Sequence, residues 1–167
     1  KTTPAYSTKV AIDAVAVILN KANTDSLLTL DVLKRICSGE FSSWDAVNAS
    51  NKLGSCNLVF DNTNSANYRY ITTELLANIP LTKNAFVAKG NYNVLEQVSK
   101  NKNAIGFVSV AWLNDNTDTI AALIKQNITV AAIAPTTNVV DASEYKQPLQ
   151  AWIYNQSYPL TRSVYII

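Results

Sequence analysis

The chain has 167 residues, enough for one domain with a sizeable core. Hydrophobic residues make up 48% and charged residues 16%, an ordinary globular composition. Fourteen Lys+Arg against twelve Asp+Glu leave a net charge of +2, which gives no electrostatic case for nucleic acid or an anionic membrane, and the lack of histidine excludes a three-histidine zinc site and any Ser-His-Asp or Cys-His catalytic set.

The N-terminal stretch KTTPAYSTK has no apolar core segment, so it is not a signal peptide, and no apolar run reaches the roughly 18 residues needed to span a bilayer. KVAIDAVAVIL (9–19) is nearly continuous in apolar, β-branched residues and predicts a strand covered on both faces, interrupted by Asp13. Asp13 is either a buried acid facing a cleft or the point where the strand leaves the core. TLDVLKRICSG (29–39) predicts a helix capped by Thr29 and stopped by Gly39, with Leu30, Leu33, Ile36 and Cys37 on its apolar side. FSSWDAVN predicts a short helical turn capped by Ser43. NLVFD (57–61) predicts the next strand.

Ser65 or Asn64 then caps a helix with Tyr68, Ile71, Leu75 and Ile79 on one face, ended by Pro80. A shorter helix over 91–101 is capped near Asn93. A strand follows at 104–110, then a helix at 117–126 with Ile120, Leu123 and Ile124 buried, then a strand at 128–134. The tail predicts a short helix, a loop around Pro159 and a last strand, SVYII. Alternating strands and helices define an α/β fold with a mostly parallel mixed sheet flanked by helices. Asp115, Asp118 and Asp141 fall in loops or at helix starts, Arg162 is expected to pair with a surface acid, and the three tryptophans read as core. Asparagine is abundant and glycine scarce, so asparagine is expected to take over turn positions. Cys37 and Cys56 either form one disulfide or are two small buried hydrophobes.

The stretch DNTNSANYR (61–69) concentrates small polar groups where a strand becomes a helix. The first N–H groups of such a helix lack internal partners, so the turn either caps its own helix or holds an anion.

Five segments in order, VAIDAVAVILN, LTLDVLKRICSGEFSSWDAVN, LVFDNTNSANYRYI, NAIGFVSVAWL and YPLTRSVYII, resemble the bacterial periplasmic phosphate-binding proteins of phosphate ABC transporters, and the asparagine-rich turn looks like a Bacteroides-like branch. The resemblance covers nearly the whole chain. It implies a type II periplasmic-binding-protein fold of which residues 1–167 are the second lobe, with the first-lobe segments absent. It implies a non-catalytic, monomeric binding lobe for phosphate or a similar oxyanion. It also implies an ABC-transporter permease as partner and a periplasmic or outer-envelope location with a lipid anchor on the parent. No cofactor or metal is expected. The family's Arg-x-Asp-Gly-Ser-Gly-Thr turn, laid on this chain, places its arginine on Asp61, its Gly-Ser-Gly on Asn64, Ser65 and Ala66, and its threonine on Asn67. Ser65 matches directly. Asp61 departs, a carboxylate where the family has a cation, and Arg69 one turn on could supply the charge. Asp61 could instead accept a proton from a monohydrogen oxyanion, or mark a different ligand. The alternative reading is an interaction or sensor module that has lost its ligand.

Overall fold

The computed structural model describes residues 7–114 and 117–166. Asp115 and the last strand residue, Ile167, lie outside them. The organising element is β1 (Thr8–Asn20). Its second half, from Ala14 to Leu19, is fully buried, and its first half is largely exposed. Coverage on both faces therefore holds only beyond Asp13.

Along its buried half β1 pairs antiparallel with β5 (Ala104–Ser109) on one side and β6 (Ile128–Val130) on the other; along its exposed half it pairs antiparallel with β8 (Thr161–Ile166). Beyond β5 the sheet continues in parallel with β3 (Asn57–Phe60) and then β4 (Ala85–Val87). The main sheet therefore runs β4-β3-β5-β1-β6, with β8 added to β1. The expected mixed α/β architecture is present. Its parallel part is confined to β4, β3 and β5, because β1 runs against every strand it touches. The run at 128–134 is not one strand. It breaks at Ala131, whose N–H donates to Val17 O at 2.9 Å, and Ala132–Ala134 (β7) pairs instead with Leu27–Thr29 (β2) in a separate parallel ribbon.

Helix α1 (Leu30–Ser38) follows the sequence expectation closely. Thr29 Oγ1 accepts from Val32 N at 3.1 Å, Leu33, Ile36 and Cys37 are buried, and Gly39 closes the helix with φ 83°. Helix α2 (Trp44–Val47) begins after Ser43, although that side chain makes no capping bond. Among the tryptophans only Trp44 is fully buried; Trp112 is exposed and Trp152 is half-buried with Lys146 over its ring.

Helix α3 (Ala66–Arg69) passes directly into a π-helical segment, Tyr70–Leu75. Leu76 N donates to Ile71 O at 2.9 Å, so the two buried side chains Ile71 and Leu76 are five residues apart. That wider turn displaces the expected face: Leu75 is only half-buried and Ile79 is exposed. The helix ends before Pro80, where Ala77 and Asn78 take positive φ.

Helix α4 (Asn91–Lys100) is preceded by Gly90 with φ 108°, and Asn93 lies inside the first turn rather than at the cap. Val94 and Val98 pack on Gly106 of β5, where an added Cβ would come within 2.8 Å of both side chains. Asn20, at the end of β1, donates to the carbonyls of Val98 and Ser99 at 2.9 and 2.8 Å and so ties off the end of α4. Helix α5 (Val110–Asn114) continues from β5. In α6 (Thr119–Lys125) Asp118 caps as expected, accepting from Ile120 N at 2.8 Å. Ile120 and Leu123 are exposed, however, and Ala121 takes the inner position. A short 3-10 turn at Ala142–Glu144 is closed by a capping box from Asp141, and α7 (Gln150–Tyr154) leads to β8.

Both cysteines are free and buried. Burial, and then the neighbouring Cys56, push the Cys37 thiol well above its usual range; burial pushes Cys56 up to about 12. Neither is a thiolate at neutral pH, so both should resist thiol reagents in the native protein. Denatured without reductant, the chain should titrate as two free thiols; a count of zero would show a disulfide in solution. Gly106→Ala should lower unfolding free energy by about 1–3 kcal/mol in urea melts, because Val94, Val98 and Ile18 leave no room for a methyl.

Candidate functional site

The parallel strands β4, β3 and β5 all end on the same side of the sheet, and in open α/β sheets that is where ligands bind. The turn at 61–69 stands there. Phe60, the last residue of β3, stacks on Phe107 of β5 at 4.8 Å and takes the edge of Tyr68 at 5.2 Å. This aromatic group holds the start of α3 over the strand end. The Ala88 N–H donates to Phe60 O at 2.7 Å and the Gly90 N–H to Asp61 O at 3.1 Å. The corner after β4 is thereby laced to the turn after β3.

Within the turn, Asn62 Oδ1 accepts from Asn64 N at 2.8 Å and its carbonyl accepts from Ser65 N at 3.3 Å. Ser65 is the cap: its Oγ accepts from Tyr68 N at 3.0 Å. Asn64 forms part of the turn and caps nothing. The Ala66 and Asn67 N–H groups occupy first-turn positions, which have no intrahelical acceptor. Ala66 and Asn64 are exposed and Ser65 is half-buried.

Asp61 and Asn67 are buried, at 5% and 3% exposure. Asn67 Nδ2 donates to Asp61 Oδ2 at a long 3.4 Å, while among the described residues Asp61 Oδ1 and Asn67 Oδ1 are buried without a partner. Arg69 is exposed, and among the described residues no cationic side chain lies within salt-bridge distance of Asp61.

Two further groups at this end of the sheet emerge only from the structure. Asn91, next to Gly90, also carries a buried oxygen without a partner among the described residues. Its signal in the sequence was the glycine itself: one of only four, it sits between a short apolar run and a helix. The second group joins β1, β8 and β5. Arg162 pairs with Asp13 through Nε at 3.1 Å and through Nη2, and Ser109 Oγ donates to the same carboxylate at 3.3 Å. The side chains of Arg162 and Asp13 are only 19% and 27% exposed. Asp13 is thus a partly buried acid with a cationic partner rather than a free one. A groove of about 620 Å³ also lies along the β4 edge, lined by Val59, Phe86, Lys89, Asn93 and Gln97, but the 61–67 turn does not line it.

A mixed sheet with a polar, partner-poor turn at the end of its parallel strands is the architecture of a small-ligand binding domain. Residues 1–167 match the model of a PBP superfamily domain, and the chain belongs to that superfamily. It is 27% identical over 161 residues to the phosphate-binding protein PstS of Staphylococcus epidermidis, covering 95% of this chain and 44% of that protein. It is 28% identical over 150 residues to PstS of Staphylococcus aureus, covering 87% of this chain and 44% of that protein. The chain thus spans less than half the length of these curated relatives. Among solved structures, a possible phosphate binding protein from Planctomyces limnophilus superposes with a TM-score of 0.75 at 21% identity, over 96% of this chain and 54% of that one. An ABC-type phosphate transport receptor from Vibrio cholerae gives 0.72 at 20% identity, over 96% and 58%. These likenesses establish the fold.

Removing the Asp13 carboxylate would strand a guanidinium that already has one buried nitrogen, Nη1, without a partner. Asp13→Ala should therefore cost about 1.5–3 kcal/mol of stability, and Arg162→Leu less, since the latter leaves the more exposed partner behind. Chemical denaturation of the two variants checks the order.

Proposed function

We propose that this chain is an oxyanion-binding lobe, with phosphate as the leading ligand, serving uptake through an ABC-transporter permease from the periplasm or the outer face of the cell envelope. On this reading the 167 residues are one lobe of a two-lobe receptor, act by binding and not by catalysis, and work as a monomer. The observation that carries it is the placement of the 61–69 turn: it lies at the end of three parallel strands, with the Ala66 and Asn67 N–H groups free of intrahelical acceptors and the Ser65 hydroxyl beside them. The PstS relatives support phosphate. The chain's match to less than half the length of the PstS relatives supports the lobe reading. Among the described residues no helix is long and apolar enough to cross a membrane.

Ser65, Ala66 and Asn67 supply donors, Asn64 shapes the turn, and Arg69 adds a positive charge one helical turn away. Micromolar affinity needs about 8 kcal/mol. Charge-assisted hydrogen bonds net about 1.5–3 kcal/mol each, and those on an open, wet surface sit at the low end. Lost ligand freedom takes back roughly 4 kcal/mol or more. Three such bonds leave millimolar affinity at best, so tight binding needs a second lobe over the turn. In titration calorimetry the 167-residue chain should bind phosphate no better than about 1 mM. In a two-lobe parent, Ser65→Ala should weaken phosphate by about 1–3 kcal/mol. Unchanged affinity in that variant, in a parent that binds phosphate tightly, would make the turn a helix cap and nothing more.

A further inference from the structure

The row of residues that crosses the sheet through Gly106, Val59 and Phe86 is covered at one end and open at the other. These three are register partners on β5, β3 and β4 and share one face. Helix α4 sets Val94 and Val98 on Gly106. Val59 beside it is 5% exposed, but Phe86 is 56% exposed. The groove of about 620 Å³ lies here, lined by Val59 and Phe86 from the sheet and by Asn93 and Gln97 from α4.

Strand β4 also ends the sheet. Leu58 N donates to Asn84 O at 2.8 Å and Ala88 N to Phe60 O at 2.7 Å, so the even-numbered residues of this stretch turn their peptide groups to β3. Ala85 and Val87 therefore point their N–H and C=O groups outward, where among the described residues no strand pairs with them. Such an edge is a template for an incoming strand. Lys83 and Lys89 flank it, both exposed and both without a salt bridge among the described residues. Glu96, the acid that lines the groove, is held by Lys100 at 2.6 Å. A second copy of this chain is a poor occupant. The antiparallel register that pairs all of β4 with itself sets Lys83 opposite Lys89 at both ends, and like charges opposed across strands destabilise.

We propose that the open edge of β4 takes an extended acidic peptide segment of a partner protein as an added strand. The outward peptide groups of Ala85 and Val87 supply the ladder bonds, one apolar side chain of the segment enters the groove beside Phe86, and acidic residues near its two ends meet Lys83 and Lys89. The 61–67 turn does not line this groove, so the proposal goes beyond the oxyanion reading and does not depend on it.

The test uses the 167-residue chain and a pool of fluorescein-labelled, end-capped heptapeptides with glutamate at both ends and apolar residues alternating with threonine between them. A second pool carries lysine at both ends. Fluorescence anisotropy should rise saturably with the glutamate pool, which should bind about fivefold more tightly than the lysine pool. Val87→Pro removes an outward N–H that β3 does not use and should weaken the glutamate pool by about fivefold. Lys89→Glu should erase the preference between the pools. Absence of saturable binding, or equal binding of the two pools, would overturn the proposal. So would a Val87→Pro chain that melts like the parent chain and binds equally well. If Val87→Pro does not fold, Lys89→Glu decides: an unchanged preference overturns the proposal, and an erased one supports it. A dimer in sedimentation equilibrium that Val87→Pro disperses would give the edge to a second copy and overturn the proposal as well.

Discussion

The buried half of β1 is the constraint on which the rest of the structure depends. Val15 alone shows how much converges on it. Its N–H donates to Leu160 O at 3.0 Å, its carbonyl accepts from the buried Tyr158 hydroxyl at 2.8 Å, and its Cα faces Ser109 of β5. Two residues further on, Val17 accepts from Ala131 and so fixes where the 128–134 run leaves the main sheet. At the end of the strand, Asn20 satisfies the last carbonyls of α4. One strand therefore sets the register of β5, which in turn sets β3, and β3 delivers Asp61 to its position. The turn at 61–69 is built far along the chain from β1, yet its height above the sheet is fixed by that strand.

The turn itself combines two opposed electrostatic features. Its Ala66 and Asn67 N–H groups have no intrahelical acceptor and suit negative charge. Asp61 Oδ1 and Asn67 Oδ1, buried without a partner among the described residues, are acceptors and suit positive charge or a ligand's own donors. Bare phosphate fits the first feature and not the second. The exposed Arg69 does not resolve the conflict, since it makes no salt bridge to Asp61 and stands one turn away.

Legibility in the sequence followed the strength of local signals. Thr29, Gly39, Ser65 and Asp118 were readable as helix boundaries because capping is a short-range effect. Inner faces were less readable. The π-helical segment puts Ile71 and Leu76 five residues apart, a spacing that a 3.6-residue period cannot anticipate. In α6 seven residues are too few for an apolar stripe to choose between Ile120 and Ala121, and packing chose Ala121. Strands β2 and β4, of three residues each, carry almost no periodicity. The antiparallel direction of β1 is a property of topology that its own composition does not encode. Asparagine proved to work in turns, though mostly by another route than positive φ. Asn20, Asn23, Asn48, Asn51, Asn62 and Asn155 each accept the N–H two residues on, while among the described asparagines only Asn78 adopts left-handed backbone.

At the site, the same division between local and non-local information holds. The Ser65 cap is a contact across three residues, and it was visible. The lacing of Asp61 to Gly90 spans 29 positions and depends on β3 and β4 lying side by side, so Asn91 could not be connected with Asp61 from the chain alone. Gly90 makes that contact with Asp61 through its own N–H. Its φ of 108° lets the chain leave β4 and start α4 within one residue, which sets Asn91 directly beside the residue bonded to Asp61.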